Sequence, residues 1–179
     1  MNRKEIIEIL KDMAGPLGPF TRIESMEDLI NLRSNRYQSI DINALDILID
    51  IILNPPGEKE LGHISSEDIE LELVEMLTII GRRDVTDFLS RTKKLLYLDQ
   101  TRTVMIDVLG GLCQEESLLL LESLLSEHLN EEEIIGLIDA VSTHSGLKAK
   151  ELLEKIKIKY SNYSEKVSEE INICLSQLK

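Results

Sequence analysis

The three histidines and two short motifs are the residues whose types and spacing could support chemistry in this chain. His128 and Glu132 have the i, i+4 spacing that places two metal ligands on one face of a helix. Two ligands do not complete a site, and the junction near Asn130 is expected to interrupt the helix between them. His63 stands apart, and His144 falls on an apolar stripe where a packed, hydrogen-bonded histidine is the usual occupant. We therefore predict no metal site.

The motifs that could indicate catalysis lack their companion residues. Ser90-Arg91-Thr92-Lys93 has the S-x-x-K spacing of some acylating enzymes, but no companion motif follows it. The segment 15–19 (Gly-Pro-Leu-Gly-Pro) has neither the lysine nor the helix start of a phosphate-binding loop, and it is typical of a turn. We predict a protein that is not an enzyme, with no catalytic residues and no cofactor.

Charge distribution is the clearest functional signal in the sequence. The net charge is −13, and residues 103–147, which we call the acidic tract, contain no Lys or Arg. Nine carboxylates lie in this tract: Asp107, Glu115, Glu116, Glu122, Glu127, Glu131, Glu132, Glu133 and Asp139. Because these charges repel one another, we expect something to offset them, and a basic protein surface is suited to do so. We predict that the acidic tract is the partner-binding face.

Cations flank the acidic tract on both sides. Lysines 148, 150, 155, 157 and 159 follow it. A secondary basic strip precedes it: Arg82, Arg83, Arg91, Lys93, Lys94 and Arg102. An alternative interpretation is that Glu and Lys are simply favourable on helix surfaces, and that acidic residues stabilise the first turn of a helix. The negative net charge disfavours nucleic acid and anionic membranes as partners.

Apolar residues recur with a period of 32 residues. This period predicts the helices that carry the charged residues. Leu77, Leu109 and Val141 are separated by this step, and each is followed twelve residues later by a leucine. Apolar spacing of the i, i+3, i+4, i+7 type within each copy predicts amphipathic helices. The expected helices cover residues 3–13, 25–33, 41–53, 66–81, 84–97, 101–113, 116–129, 131–143, 147–160 and 164–178. No stretch alternates as a strand does, so we predict an all-α fold.

Two segments in these repeats resemble the HEAT family. Leu77-Thr78-Ile79-Ile80-Gly81 and Leu109-Gly110-Gly111-Leu112 are similar to the helix ends that precede the turn in a HEAT repeat. The resemblance implies a right-handed α-solenoid of antiparallel helix pairs that binds a partner along one face and has no catalytic residues. It also implies that Asp99 and Arg102 brace neighbouring repeats. The Asp-Pro turn of the family is missing from every copy.

The resemblance covers only the later part of the chain. We predict a single domain in which N-terminal helices, residues 1–64, pack on or cap HEAT-like repeats in residues 65–179. Segment 54–65, with two prolines and two glycines, separates these parts.

Three classes of function remain open from the sequence. The first is a non-enzymatic protein–protein interaction module that binds a basic partner through its acidic face. The second is an immunity- or antitoxin-type inhibitor that neutralises a basic bacterial toxin. The third is a HEAT-like enzyme or nucleic-acid-binding protein, which the charge and the 3% aromatic content disfavour. The oligomeric state does not follow from the sequence.

The sequence also bears on location. Its amino terminus has only a brief apolar stretch, interrupted by Glu8, which does not match a secretory signal. Cys113 and Cys174 are far apart and form no C-x-x-C pair, which favours reduced thiols. We expect a cytoplasmic protein that is not a membrane protein.

Overall fold

A computed structural model describes residues 1–14, 26–37 and 40–177 of the chain. Within these ranges the chain forms eleven α-helices joined by short segments, and it contains no β-strand. This confirms the predicted all-α fold class. The predicted turn at residues 15–19 lies outside the described residues.

The described chain divides into two compact units, residues 1–92 and 93–179. Unit 1 contains α1 (Arg3–Ala14), α2 (Met26–Tyr37), α3 (Leu45–Leu53), α4 (Glu58–Leu61), α5 (Ser66–Arg83) and α6 (Val85–Thr92). Unit 2 contains α7 (Asp99–Leu112), α8 (Glu115–Ser123), α9 (Glu131–Ser142), α10 (Leu147–Tyr160) and α11 (Glu165–Gln177). The boundary that we predict between residues 64 and 65 stays a prediction.

Most predicted helices match the observed ones to within a few residues, and the differences have local causes. The helices predicted over 84–97 and 116–129 each change to 3-10 geometry, at Lys93–Tyr97 and Leu124–Ser126. Helix α4 forms inside the segment 54–65 and buries Leu61, so this segment is not simply an open loop. Its four residues are too few to show an apolar period, which is why the sequence pattern missed it.

Unit 1 is organised around α5, whose apolar face packs against α1, α2 and α3. Ile69, Leu73, Met76, Leu77 and Ile80 of this helix are buried. Their spacing of three and four residues produces one continuous apolar face. This apolar face explains why α5, which we predicted over residues 66–81, is buried on one side.

A polar cluster also joins α2 to α5 inside unit 1. Glu72 is buried, and its carboxylate accepts hydrogen bonds from Arg33 and from the hydroxyl of Tyr37, the latter at 2.6 Å. Burial raises the pKa of Tyr37, and the neighbouring negative charge of Glu72 raises it further. Because a buried carboxylate is costly unless it is paired, this cluster fixes α2 on α5.

In unit 2, α7 and α9 pack side by side and run in the same direction. Arg102 near the start of α7 contacts Glu133 near the start of α9, and Thr143 after the end of α9 donates to the carbonyl of Gly110 at 2.8 Å. A Cβ atom on Gly110 would lie 2.8 Å from the Cα of Ala140. Glycine at position 110 therefore allows the two helices to approach closely.

The remaining helices of unit 2 continue the same pattern of neighbours. Helix α11 packs against α9 and α10, while α8 packs against α7 and α10 against α9. The long core side chains are mainly Leu, Ile and Val. In the described part of the chain, no helix is both long enough and apolar enough to cross a bilayer.

Candidate functional site

Glu133 is a core residue, which corrects its assignment to the partner-binding face. It is 4% exposed, and its carboxylate accepts a 2.8 Å hydrogen bond from Arg102 Nη1. The same carboxylate accepts from the backbone N–H of Asn130, whose side chain accepts from the N–H of Glu133. This is a reciprocal capping box at the start of α9. Glu133 therefore serves the fold and is not accessible to a partner.

Arg102, which we placed in the basic strip, is also a core residue at 5% exposure. Its guanidinium donates to Glu133, to Asp99 at 2.8 Å and to the carbonyl of Leu96 at 3.2 Å. Burial works to lower the pKa of Arg102, but the hydrogen bonds to Glu133 and Asp99 outweigh it and leave that pKa raised. Asp99 thus pairs with Arg102 inside α7, and Arg102 also reaches Glu133 on α9. The implied brace between neighbouring repeats stays a prediction.

Two further carboxylates of the acidic tract are neutralised within unit 2. Glu115 and Glu122 of α8 form ion pairs with Lys148 and Lys155 of α10, the second at 2.5 Å. The hydrogen bond that Lys155 donates to Glu122, together with the negative charge of Glu122, raises the pKa of Lys155. Each pair joins residues 33 positions apart. The lysines that follow the tract therefore offset part of its charge, an internal partner that sequence reasoning missed.

A third lysine completes this junction between α8 and α10. Lys159 donates to the backbone carbonyls of Leu125 and Glu127, at 2.5 and 3.2 Å. A lysine near these terminal carbonyls interacts favourably with the negative end of the helix dipole. The Glu127 side chain is half-buried. These contacts between α10 and the segment after α8 thus contribute to the fold of unit 2.

The other carboxylates of the tract remain at the surface. Asp107, Glu116, Glu132 and Asp139 are exposed, and Glu131 is half-buried. Asp107 and Asp139 are exposed positions, 32 residues apart, of the packed helices α7 and α9. Glu131 and Glu132 lie in the first turn of α9, where the helix dipole favours negative charge. The accessible carboxylates of the acidic tract on α7 and α9 are thus Asp107, Glu131, Glu132 and Asp139, which we call the acidic face.

Asp139 has two neighbours that lie outside the acidic tract. One carboxylate oxygen of Asp139, one of Glu170 and the sulfur of Cys174 all lie within 4.8 Å of one another. Burial raises the pKa of Asp139, and the charge of Glu170 on α11 raises it further. Sequence reasoning missed Glu170, because its approach to Asp139 depends on the packing of α11 against α9.

The arginines of the basic strip in unit 1 are engaged by their own unit. Arg83 donates to the carbonyls of Ile40 and Tyr37, and Arg91 donates to Ile42 and to the carboxylate of Asp46 at 2.8 Å. The hydrogen bond that Arg91 donates to Asp46 raises the pKa of Arg91 in spite of some desolvation. Arg82, Lys93 and Lys94 are exposed.

The structure confirms the packed position predicted for His144 and the junction predicted near Asn130. His144 is buried, with Nε2 3.1 Å from Ser117 Oγ and Nδ1 3.0 Å from the carbonyl of Ala140. Asn130 caps α9, so His128 precedes the helix that carries Glu132. The helical i, i+4 arrangement of these two residues does not form.

Comparison of the chain with family models, curated proteins and solved structures finds no match. The HEAT resemblance therefore stays a prediction from the residues that carry it.

Proposed function

We propose that unit 2 is a stack of HEAT-like antiparallel helix pairs that binds a basic protein without catalysing a reaction. Contacts between residues about one period apart support this arrangement. Thr143 bonds to Gly110, Lys148 pairs with Glu115, and Lys155 pairs with Glu122, each over 33 positions. Contacts between residues about one period apart are what a repeat stack requires.

The observation that carries the proposed function is the acidic face of α7 and α9. Asp107, Glu132 and Asp139 are exposed on these packed helices, and the sequence supplies no Lys or Arg from residue 103 to 147. On α8, Glu115 and Glu122 form ion pairs with α10. Like charges on one surface attract a partner of opposite charge, accelerate its association and reject acidic partners.

Capture of partners from a lysate by charge-reversed variants tests this function. The parent chain at low salt is expected to retain a basic protein that 1 M salt releases, because screening shortens the range of surface charges to about 3 Å. Asp107→Lys with Glu132→Lys is expected to lose that protein. Asp139 stays unchanged because it also contacts Glu170 and Cys174.

A charge-matched control separates the acidic face from net charge. Glu116 and Glu154 are also exposed, but they belong to α8 and α10 rather than to α7 or α9. Glu116→Lys with Glu154→Lys changes the net charge by the same amount and is expected to retain the partner. Equal loss in both double variants, or retention in both, would contradict the assignment of docking to α7 and α9.

A further inference from the structure

A buried thiol and two carboxylates converge where α9 and α11 pack together in unit 2. Asp139 belongs to α9, whereas Glu170 and Cys174 lie one turn apart on α11. Their ligand atoms are mutually within 4.8 Å, and Cys174 Sγ lies 3.7 Å from Glu170 Oε1. Within the described ranges this is the one group of three such side chains. Packing of the two helices brings its members together.

The burial of the three side chains gives the group a closed and an open side. Cys174 is 4% exposed, and its sulfur is directed at the two carboxylates. Glu170 is half-buried and Asp139 is exposed. Val167 and Ile171 of α11 are buried on the same helix face as Cys174. An ion could therefore enter beside Asp139 and be held against the thiol.

The electrostatics of the group are unfavourable in the absence of a cation. Burial raises the pKa of Asp139, and the negative charge of Glu170 adds to the shift. Burial also raises the pKa of Cys174, where a hydrogen bond with Ser142 opposes the nearby acidic charges. A divalent cation would remove the repulsion between the carboxylates and favour the thiolate.

The donor types indicate which cation fits. Thiolate ligands select soft or borderline ions, whereas carboxylates suit harder ones, and Zn²⁺ accepts both. Three protein ligands with water in the fourth position is a known zinc arrangement. Tetrahedral bonds of about 2.0–2.3 Å would place the donors about 3.3–3.5 Å apart, so side-chain shifts of roughly 1 Å would close the site.

We propose that Asp139, Glu170 and Cys174 bind a Zn²⁺ ion that links α11 to α9. This site does not depend on the docking function proposed above. Because all three ligands must be ionised, binding releases protons and weakens as the pH falls. The bound ion stabilises the folded chain by mass action and holds the last helix in place.

Titration of the reduced full-length chain with Co²⁺ and then Zn²⁺ tests the site. Thiolate ligation of Co²⁺ is expected to produce a sulfur-to-metal charge-transfer absorption band that saturates at one ion per chain. Zn²⁺ is expected to abolish this band by displacement and to raise the thermal unfolding temperature. Absence of a saturable band would overturn the proposal.

Variants of the thiols and of Glu170 identify the ligands. Cys174→Ser is expected to remove the band, whereas the matched control Cys113→Ser keeps it, because Cys113 lies after α7 and outside the group. Glu170→Gln is expected to weaken Zn²⁺ binding by roughly tenfold or more. This half-buried substitution keeps the test valid if Cys174→Ser does not fold. A band that survives in Cys174→Ser, or unchanged affinity in Glu170→Gln, would exclude the site.

Discussion

Arg102 and Glu133 hold opposite charges in a buried position where neither side chain is stable alone. Their side chains are 6% and 5% exposed, and the bond between them is 2.8 Å long. A pair of this kind adds little net stability relative to apolar residues, but removing one partner leaves an uncompensated buried charge. The bridge therefore fixes the registration of α7 against α9.

Glu133→Ala is expected to lower the free energy of unfolding by about 3–5 kcal/mol, because Arg102 then loses its buried partner. Urea denaturation followed by circular dichroism measures this loss. The matched control is Glu122→Ala, which removes an ion pair at the surface between α8 and α10. Its unfolding curve is expected to resemble that of the parent. Equal stabilities for the two variants would show that the buried bridge does not anchor α9.

The structural role of Glu133 could be inferred from the sequence, although its membership of the acidic tract suggested a surface role. Asn130 followed three residues later by Glu133 has the spacing of a capping box. Such a glutamate bonds to the helix start and is less available to a partner. By contrast, the pairing of Glu115 with Lys148 needs the neighbouring helix, so composition and local pattern could not reveal it.

At the scale of the elements, α7 and α9 approach each other through a glycine. Gly110 faces Ala140 across this contact, and any added methyl group meets backbone atoms. Gly136, inside α9, differs, because a Cβ there would lie 3.6 Å from Ile106 Cγ2, an ordinary contact distance. Substitution of these two glycines therefore distinguishes the effect of close helix packing from the effect of helix propensity.

Gly110→Ala is expected to destabilise unit 2 by about 1–3 kcal/mol, since the helices must move apart to admit the methyl group. Gly136→Ala is expected to gain up to about 1 kcal/mol, because alanine is the better helix former and finds space. Denaturant midpoints of the two variants measure these opposite signs. A stabilised Gly110→Ala variant would refute the close approach of α7 and α9.

Helix positions were predictable because the apolar spacing of three and four residues persists along each helix. The ends of the helices were less predictable from the sequence. The 3-10 segments at Lys93–Tyr97 and Leu124–Ser126 continue the apolar pattern, but their hydrogen bonding differs from that of an α-helix. The period of 32 indicated which helices correspond, and the contacts of Gly110 with Ala140 and Thr143 agree with it. Handedness of the stack stays a prediction, since spacing alone does not determine it.

At the scale of the whole chain, 33 carboxylate side chains face 20 Lys and Arg side chains, so internal ion pairs cannot neutralise every carboxylate. Of the acidic tract, Glu115, Glu122 and Glu133 have cationic partners inside unit 2. Sequence reasoning identified the tract but not which carboxylates serve the fold. That division follows from the neighbours of α8 and α9. The proposed docking function therefore concerns the acidic face rather than all nine residues.

The association rate of the captured basic partner, measured against salt concentration, tests the docking function most directly. For the parent chain the rate constant is expected to fall steeply as salt rises, because electrostatic steering is screened. Asp107→Asn with Glu132→Gln is expected to associate more slowly at low salt and with a flatter salt dependence, while Glu116→Gln with Glu154→Gln follows the parent. Identical rates and salt dependence for all three proteins would contradict docking through the acidic face.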